Sequence, residues 1–165
     1  MAHPWRRRRA LERVARHAPR RILVICLGNV CRSPYAARRL QALLPDREVR
    51  SAGLLESGRR SPELAVAVGR ERGIELETHR SVRLPDEWVE WADLVLVMNR
   101  SQATEICDRC RAVASPALVE WLGDFDPGPL TRRALLDPFD REREVFEAVY
   151  ERIDVCCRAL ANALR

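Results

Sequence analysis

The run RILVIC at residues 21–26 is apolar after its first residue and is strand-sized. It stops at LGN, and PYAARRLQALL follows with helical periodicity and with Pro34 in the first turn, where proline is tolerated. The same alternation recurs along the chain. REVRSAG reads as a second strand ending at Gly53. SPELAVAVGRERG reads as a helix with Ser61 as candidate N-cap and Gly73 just past its end. LPDEWVEW reads as a short helix, ADLVLVM as a strand, RSQATEICDRCRAV as a helix and PALVEWL as a fourth strand. A Pro/Gly/Asp loop over 123–139 leads to a long amphipathic helix in which Val145, Val149, Ile153, Cys156, Leu160 and Leu164 keep a three-to-four spacing. Strands alternating with helices predict an α/β fold: a four-stranded parallel sheet with helices on both faces. Near-continuous apolar strands fit burial on both sides.

The length of 165 residues predicts one domain. It is expected over 21–165, preceded by a basic arm at 1–20, disordered or helical. Residues 1–21 carry eight of the 29 arginines and one glutamate, so the net +5 of the chain is a property of this arm and the remainder is near −2. The arm is a candidate for contact with an acidic partner, nucleic acid or anionic lipid. No apolar run approaches a membrane span, and no export segment follows the first arginines, which predicts a cytoplasmic protein with six reduced cysteines. A single C-x2-C, at Cys107 and Cys110, is a weak zinc signal, because zinc needs ligands from a second segment.

In a parallel sheet, ligands bind beyond the carboxyl ends of the strands. The stretch CLGNVCRSP lies there. A loop entering a helix N-terminus can aim several backbone N–H groups at one anion, and the helix dipole adds positive potential. Gly28 and Asn29 tolerate the left-handed backbone of such a cradle. Arg32 can fork across two phosphate oxygens. Cys26, at the base of that field, is a candidate nucleophile, with Ser33 as hydrogen-bond partner of its sulfur. Six cysteines and 29 arginines in 165 residues give C-x5-R about one chance match. The serine that follows and the strand-to-helix placement are therefore what make the pattern informative.

Expelling an alkoxide or phenolate needs a proton donor. Two Asp-Pro steps offer one, Asp126-Pro127-Gly128 and Asp137-Pro138-Phe139, and either also suits an ordinary turn.

VICLGNVCRSPYAA closely resembles the signature of the low-molecular-weight protein tyrosine phosphatases. SAG at 51–53, GI and then HRS within 73–81, DLVLVMNR at 93–100, LGDF at 122–125 and DPF at 137–139 follow in that family's order, so the resemblance spans roughly 21–164. It implies a four-stranded parallel sheet and hydrolysis of phosphotyrosine through a cysteinyl-phosphate, with no metal and no cofactor. It implies Cys26 as nucleophile, Arg32 as phosphate clamp, Ser33 as thiolate stabiliser and Asp137 as general acid. Leu27, Gly28, Asn29, Val30 and Cys31 would form the phosphate loop, with Phe139 at the pocket mouth. Asn29, Ser51 and His79 would form a supporting network, although His79 alone reads as a capping or surface histidine. A phosphotyrosine protein, such as a bacterial tyrosine kinase or its target, is the partner implied.

The chain departs from the family pattern in places. Asp140 replaces a second aromatic, and the loop LLESGRR lacks the usual aromatic, leaving Leu54 or Leu55 to wall the ring. Arg59 and Arg60 in that loop either favour acidic substrates or belong to a solvated face. Val30 stands where the phosphoarginine-selective branch carries threonine, which leans towards phosphotyrosine. Cys31 is either a reversible disulfide partner of Cys26 or a small apolar filler. Two other functions compete. A thioredoxin-coupled arsenate reductase would use Cys107 and Cys110 as a relay. An inactive phosphate-loop binding module would be tethered by its basic arm.

Overall fold

The computed structural model describes residues 3–129 and 132–165. Strands β1 (Arg21–Cys26), β2 (Glu48–Gly53), β3 (Leu94–Val97) and β4 (Leu118–Trp121) form one parallel sheet in the order β2-β1-β3-β4. The helices are α1 (His3–His17), α2 (Arg32–Leu43), α3 (Glu63–Glu71), α4 (Asp86–Trp91), α5 (Arg100–Ala112) and α6 (Arg143–Leu164), with a 3-10 turn at Leu122–Phe125.

The two-residue period of a strand sorts β1 between two cores. Ile22, Val24 and Cys26 face a core built with α1, α2, α3 and α6. Leu23 and Ile25 face a smaller one built with α4 and α5. The chain leaves β1 for β2 on one side and returns to β3 on the other. The carboxyl ends of β1 and β3 therefore flank the switch point where a parallel sheet opens a crevice.

Helix α6 buries Val149, Ile153, Cys156, Leu160 and Leu164 from the apolar stripe, with Val145 at its edge, and adds Phe146 and Tyr150. Tyr150 stacks on Tyr35 of α2 with ring centroids 3.8 Å apart. Asp154 is a buried carboxylate, which demands partners. It accepts from Tyr35 Oη at 2.9 Å, Arg39 Nε at 2.7 Å and Arg72 Nη2 at 2.9 Å, tying α2 and α3 to α6.

Two local expectations change. Helix α3 begins after Pro62, whose extended backbone makes it the cap; Ser61 lies one residue too early, and its hydroxyl is buried without a partner among the described residues. Gly28 lies outside the left-handed region, whereas Asn29 is in it at φ 52°. The absent side chain of Gly28 serves a close approach instead: a Cβ there would lie 3.1 Å from Arg59 Nη1.

The basic arm is helix α1, and it is seated on the domain. Ala10 and Val14 are fully buried in the larger core. Arg13 clamps Glu120 of β4 with two bonds of 2.5 and 2.9 Å, and Glu120 is buried, so the arginine supplies the partner its carboxylate requires. His3 Nε2 donates to the Asp126 carbonyl at 2.7 Å, and His17 Nε2 to that of Asp93 at 2.9 Å. Leading charge hid this one-sided stripe; the arginines ring a narrow apolar seam. No helix among the described residues is long and apolar enough to cross a membrane.

Seating of α1 predicts a contrast in stability. Val14→Ala should lower unfolding free energy by about 2 kcal/mol, the cost of a small buried cavity. Arg8→Ala, which removes an exposed pair with Glu12 one turn away, should change it by less than about 0.5 kcal/mol. Urea denaturation of both variants checks this, and equal values would mean that α1 does not pack on the domain in solution.

Candidate active site

Cys26 ends β1, and the chain turns through residues 27–31 into the first turn of α2 at Arg32. The turn is held from its centre. The buried Asn29 uses every polar group it has. Its N–H donates to Cys26 Sγ at 3.2 Å, and its carbonyl accepts from His79 Nε2 at 2.7 Å. Its amide Nδ2 donates to Ser33 Oγ and Ser51 Oγ, both at 2.9 Å, and its Oδ1 accepts from the Val82 N–H at 2.8 Å. The structure thus brings Asn29, Ser51 and His79 together, and adds Val82, which no side-chain pattern in the sequence could signal.

Ser33 Oγ receives the Asn29 amide and retains one proton to donate. Cys26 Sγ, at 3.0 Å, is a closer acceptor than the Ala52 carbonyl at 3.4 Å. The sulfur therefore sits against a hydroxyl and a backbone N–H, both suited to stabilise negative charge on it. Gly53, at the end of β2, abuts this loop. A Cβ there would stand 2.8 Å from both the Asn29 nitrogen and the Leu27 carbonyl oxygen, so only glycine lets the strand end pack on the loop. Tyr150 Oη donates to the Cys31 carbonyl at 3.2 Å from below.

Arg32 is almost fully enclosed yet lines the cavity above Cys26. Its Nη1 donates to the Leu135 carbonyl at 3.1 Å, and its Nη2 pairs with the Asp137 carboxylate. Its Nε–H is buried without a partner among the described residues. Asp137 Oδ1 also accepts the Phe139 N–H at 3.3 Å, closing a small turn. The cavity, of about 230 Å3, is walled by Val30, Cys31, Leu55, Arg59 and Phe139 as well as by Leu27, Gly28, Cys26, Arg32 and Asp137. Leu55 and Phe139 take the place of an aromatic wall. Arg59 lies at the mouth, its guanidinium 5.5 Å from the Phe139 ring centre, while Arg60 lines a separate surface depression.

The two Asp-Pro steps separate in space. Asp126 turns inward: it accepts from Gly128 N–H and Arg152 Nε, both at 2.9 Å. Asp137 alone reaches the cavity. Its loop is pinned where Leu135 N–H donates to the Met98 carbonyl at 2.9 Å and where Arg152 Nη1 and Nη2 hold the Ala134 and Arg132 carbonyls at 2.9 and 2.8 Å.

The pKa shifts follow burial. Desolvation pushes the Cys31 thiol up, and the neighbouring Cys26 adds to that. Cys156 is pushed up to about 12 and Cys157 well above its ordinary value, again by burial. Desolvation lowers the His79 pKa against the opposing hydrogen bond to Asn29, and the charges of Arg38 and Arg80 lower it further. A carbonyl can only accept, so His79 carries its proton on Nε2. Cys107 and Cys110 lie on the regular helix α5; Cys110 is buried in the smaller core, across the sheet from the core that holds Cys26. No three His, Cys, Asp or Glu side chains converge as a metal site among the described residues.

Comparison with known proteins agrees with this geometry. Residues 21–165 match the family model of the low molecular weight phosphotyrosine protein phosphatases. The probable low molecular weight protein-tyrosine-phosphatase AmsI of Erwinia amylovora is 33% identical over 146 residues, covering 87% of this chain and 96% of AmsI. The crystal structure of the tyrosine phosphatase Wzb from Escherichia coli K30 in complex with sulphate has a TM-score of 0.78 at 30% identity, covering 89% of this chain and 99% of that one. The protein-arginine-phosphatase of Geobacillus stearothermophilus is 36% identical over 149 residues, 89% of this chain and 97% of the relative. The family match starts after α1 ends. The chain belongs to the low molecular weight phosphotyrosine protein phosphatase family and is a phosphomonoester hydrolase.

Proposed function

We propose that the protein hydrolyses phosphotyrosine in proteins through a cysteinyl-phosphate on Cys26. The observation that carries this is the buried Nε–H of Arg32, unpartnered among the described residues, in the wall of the cavity that holds Cys26 Sγ. Nε and Nη2 together form the fork that matches two oxygens of a phosphoryl group. A phosphoryl dianion competes with the Asp137 carboxylate for Nη2 and releases it for proton transfer.

In the first step the Cys26 thiolate attacks phosphorus. The S–P bond forms, the P–O bond to the ring breaks, and protonated Asp137 delivers its proton to the departing phenolate oxygen. Loop N–H groups, the first turn of α2 and Arg32 hold the equatorial oxygens as charge builds. In the second step Asp137, now a carboxylate, takes a proton from water. The hydroxide attacks phosphorus, the S–P bond breaks, and inorganic phosphate leaves with the thiolate regenerated. Ser33 and the Asn29 N–H stabilise that thiolate as the leaving group.

Phosphoarginine is the second substrate to weigh, because a protein-arginine-phosphatase is among the relatives. The buried aliphatic Val30 presents no hydroxyl to a guanidinium, and Phe139 and Leu55 suit a phenyl ring. These favour phosphotyrosine. We place the enzyme in the cytoplasm, where its thiols stay reduced. The exposed arginines of α1, Arg8, Arg9 and Arg16, face outward where an acidic partner could meet them, and the phosphotyrosine of a bacterial tyrosine kinase or its target is the proposed substrate.

Hydrolysis of p-nitrophenyl phosphate in EDTA tests the reading. Cys26→Ser should abolish turnover, and Asp137→Asn should lower kcat by roughly 10²–10⁴-fold, the usual worth of a general acid. Phosphotyrosine peptides should be cleaved at higher kcat/KM than phosphoarginine peptides; the opposite order would reassign the substrate. Turnover that survives Cys26→Ser would sink the covalent mechanism.

His79 adds a pH dependence. Its pKa in the folded chain lies below the ordinary 6.5, so the unfolded chain binds protons first as pH falls. Its stabilising contribution is therefore complete above about pH 6.5 and is lost as the pH falls through the folded value. His79→Gln should lose less stability than wild type between pH 7 and pH 5 in denaturant titrations. Equal losses would show that His79 does not carry this dependence.

A further inference from the structure

Five large apolar side chains stand exposed among the described residues, and four of them, Leu27, Leu55, Leu136 and Phe139, gather around the mouth of the catalytic cavity. Isolated surface leucines need no explanation, but a contiguous apolar patch at an active site marks a surface that is covered in use. The patch is not flat. A second cavity of about 500 Å3 opens beside the first and shares Leu27, Leu55, Arg32 and Asp137 with it. Leu54 and Leu136 extend its apolar floor, and the first turns of α5 wall its far end with Asn99, Ser101 and Glu105.

That far wall is polar and its charge is negative. The Glu105 carboxylate is half-exposed. Arg109, one turn on, approaches it at 3.5 Å but is itself shared with Asp86 at 3.5 Å. The Asn99 side chain is taken up in capping α5 through the Gln102 N–H, and the Ser101 hydroxyl donates to it. Glu105 is thus the acceptor that α5 presents to the groove. Arg59 lies outside the groove, on the cavity rim beside Phe139.

The geometry points to this groove as the seat of the peptide that carries the phosphotyrosine: a large aliphatic residue near the phosphotyrosine lies on Leu27, Leu55 and Leu136, and a basic residue farther along the peptide pairs with Glu105. The inference rests on the phosphatase reading and adds substrate selection to it. The continuity of groove and cavity fixes the occupant, because a peptide whose phenyl ring stands over Cys26 must leave along a surface joined to that cavity. The leucine floor sets the first preference and the Glu105 charge the second. Small aryl phosphates do not reach the groove, which makes them an internal control.

The test is a panel of phosphotyrosine peptides with alanine flanks, or with Leu and Arg, or Leu and Glu, placed on either side of the phosphotyrosine. On one side, the Leu/Arg peptide should exceed the alanine peptide in kcat/KM by about tenfold, the worth of burying one aliphatic side chain with a charge contact. Glu105→Arg should invert the order of the Arg and Glu peptides. Leu136→Asn should erase the gain from leucine. Both variants should hydrolyse p-nitrophenyl phosphate as wild type does. Equal kcat/KM across the panel, or variants that slow p-nitrophenyl phosphate and peptides alike, would overturn the groove. Binding of the same panel to Cys26→Ser reads the preference without turnover. Retained peptide preference with no phosphoester hydrolysis in wild type would overturn the phosphatase reading and leave the groove standing.

Discussion

Asn29 is the residue on which the site depends. Its left-handed backbone turns the loop, and its side chain then bonds in three directions: to α2 through Ser33, to β2 through Ser51 and to the 79–82 segment through Val82. A buried amide with every donor and acceptor satisfied is stable only in one arrangement, because losing any partner leaves a polar group dry. The loop therefore has one shape before substrate arrives. That matters for catalysis, since donors already aimed at developing charge need no reorganisation during the reaction.

The same preorganisation extends to Asp137. Asp137 comes from a loop more than a hundred residues after Cys26, and the sheet order is what brings them together. With β1 and β3 adjacent, the chain end of β3 sits beside the loop after Cys26, and Met98 just past it accepts the Leu135 N–H of the loop that carries Asp137. Arg32 then bonds the Leu135 carbonyl from the other side. Arg32 and Asp137 are thus registered to one another through a single backbone residue. Arg152 of α6 fastens the loop's earlier part, so the long last helix takes part in positioning the loop that carries Asp137.

Most of this was legible in the sequence wherever one local pattern sufficed. The strand Arg21–Cys26 follows from its apolar run, and the second, read from Arg47 and observed from Glu48, ends as expected at Gly53. Cys26, Arg32 and Ser33 lie on one loop, so their meeting needs only a strand and a helix start. Asp137 needed the resemblance, because Asp126-Pro127 carries the same turn chemistry and only burial separates them. The seating of α1 was hidden for a different reason. Its apolar face is short, Ala10 and Val14 with Leu11 partly buried beside them, and its strongest anchor, Arg13 on Glu120, joins residues 107 apart in sequence. Arg59 was equally ambiguous until the fold placed Gly28 and Phe139 beside it. Long-range pairing of charges leaves no periodic trace.

The cysteines show why burial alone does not make a nucleophile. Cys31, Cys156 and Cys157 are as enclosed as Cys26, and for each the surroundings act chiefly to desolvate, which raises the thiol and favours its protonated, inert form. Cys26 differs in what touches its sulfur: a hydroxyl at 3.0 Å and a backbone N–H at 3.2 Å, both donors to negative charge. Both of those donors are held by Asn29, the first as acceptor of its amide and the second as its own main chain. One sequence position thus shapes the loop and sets both donors against the sulfur of Cys26.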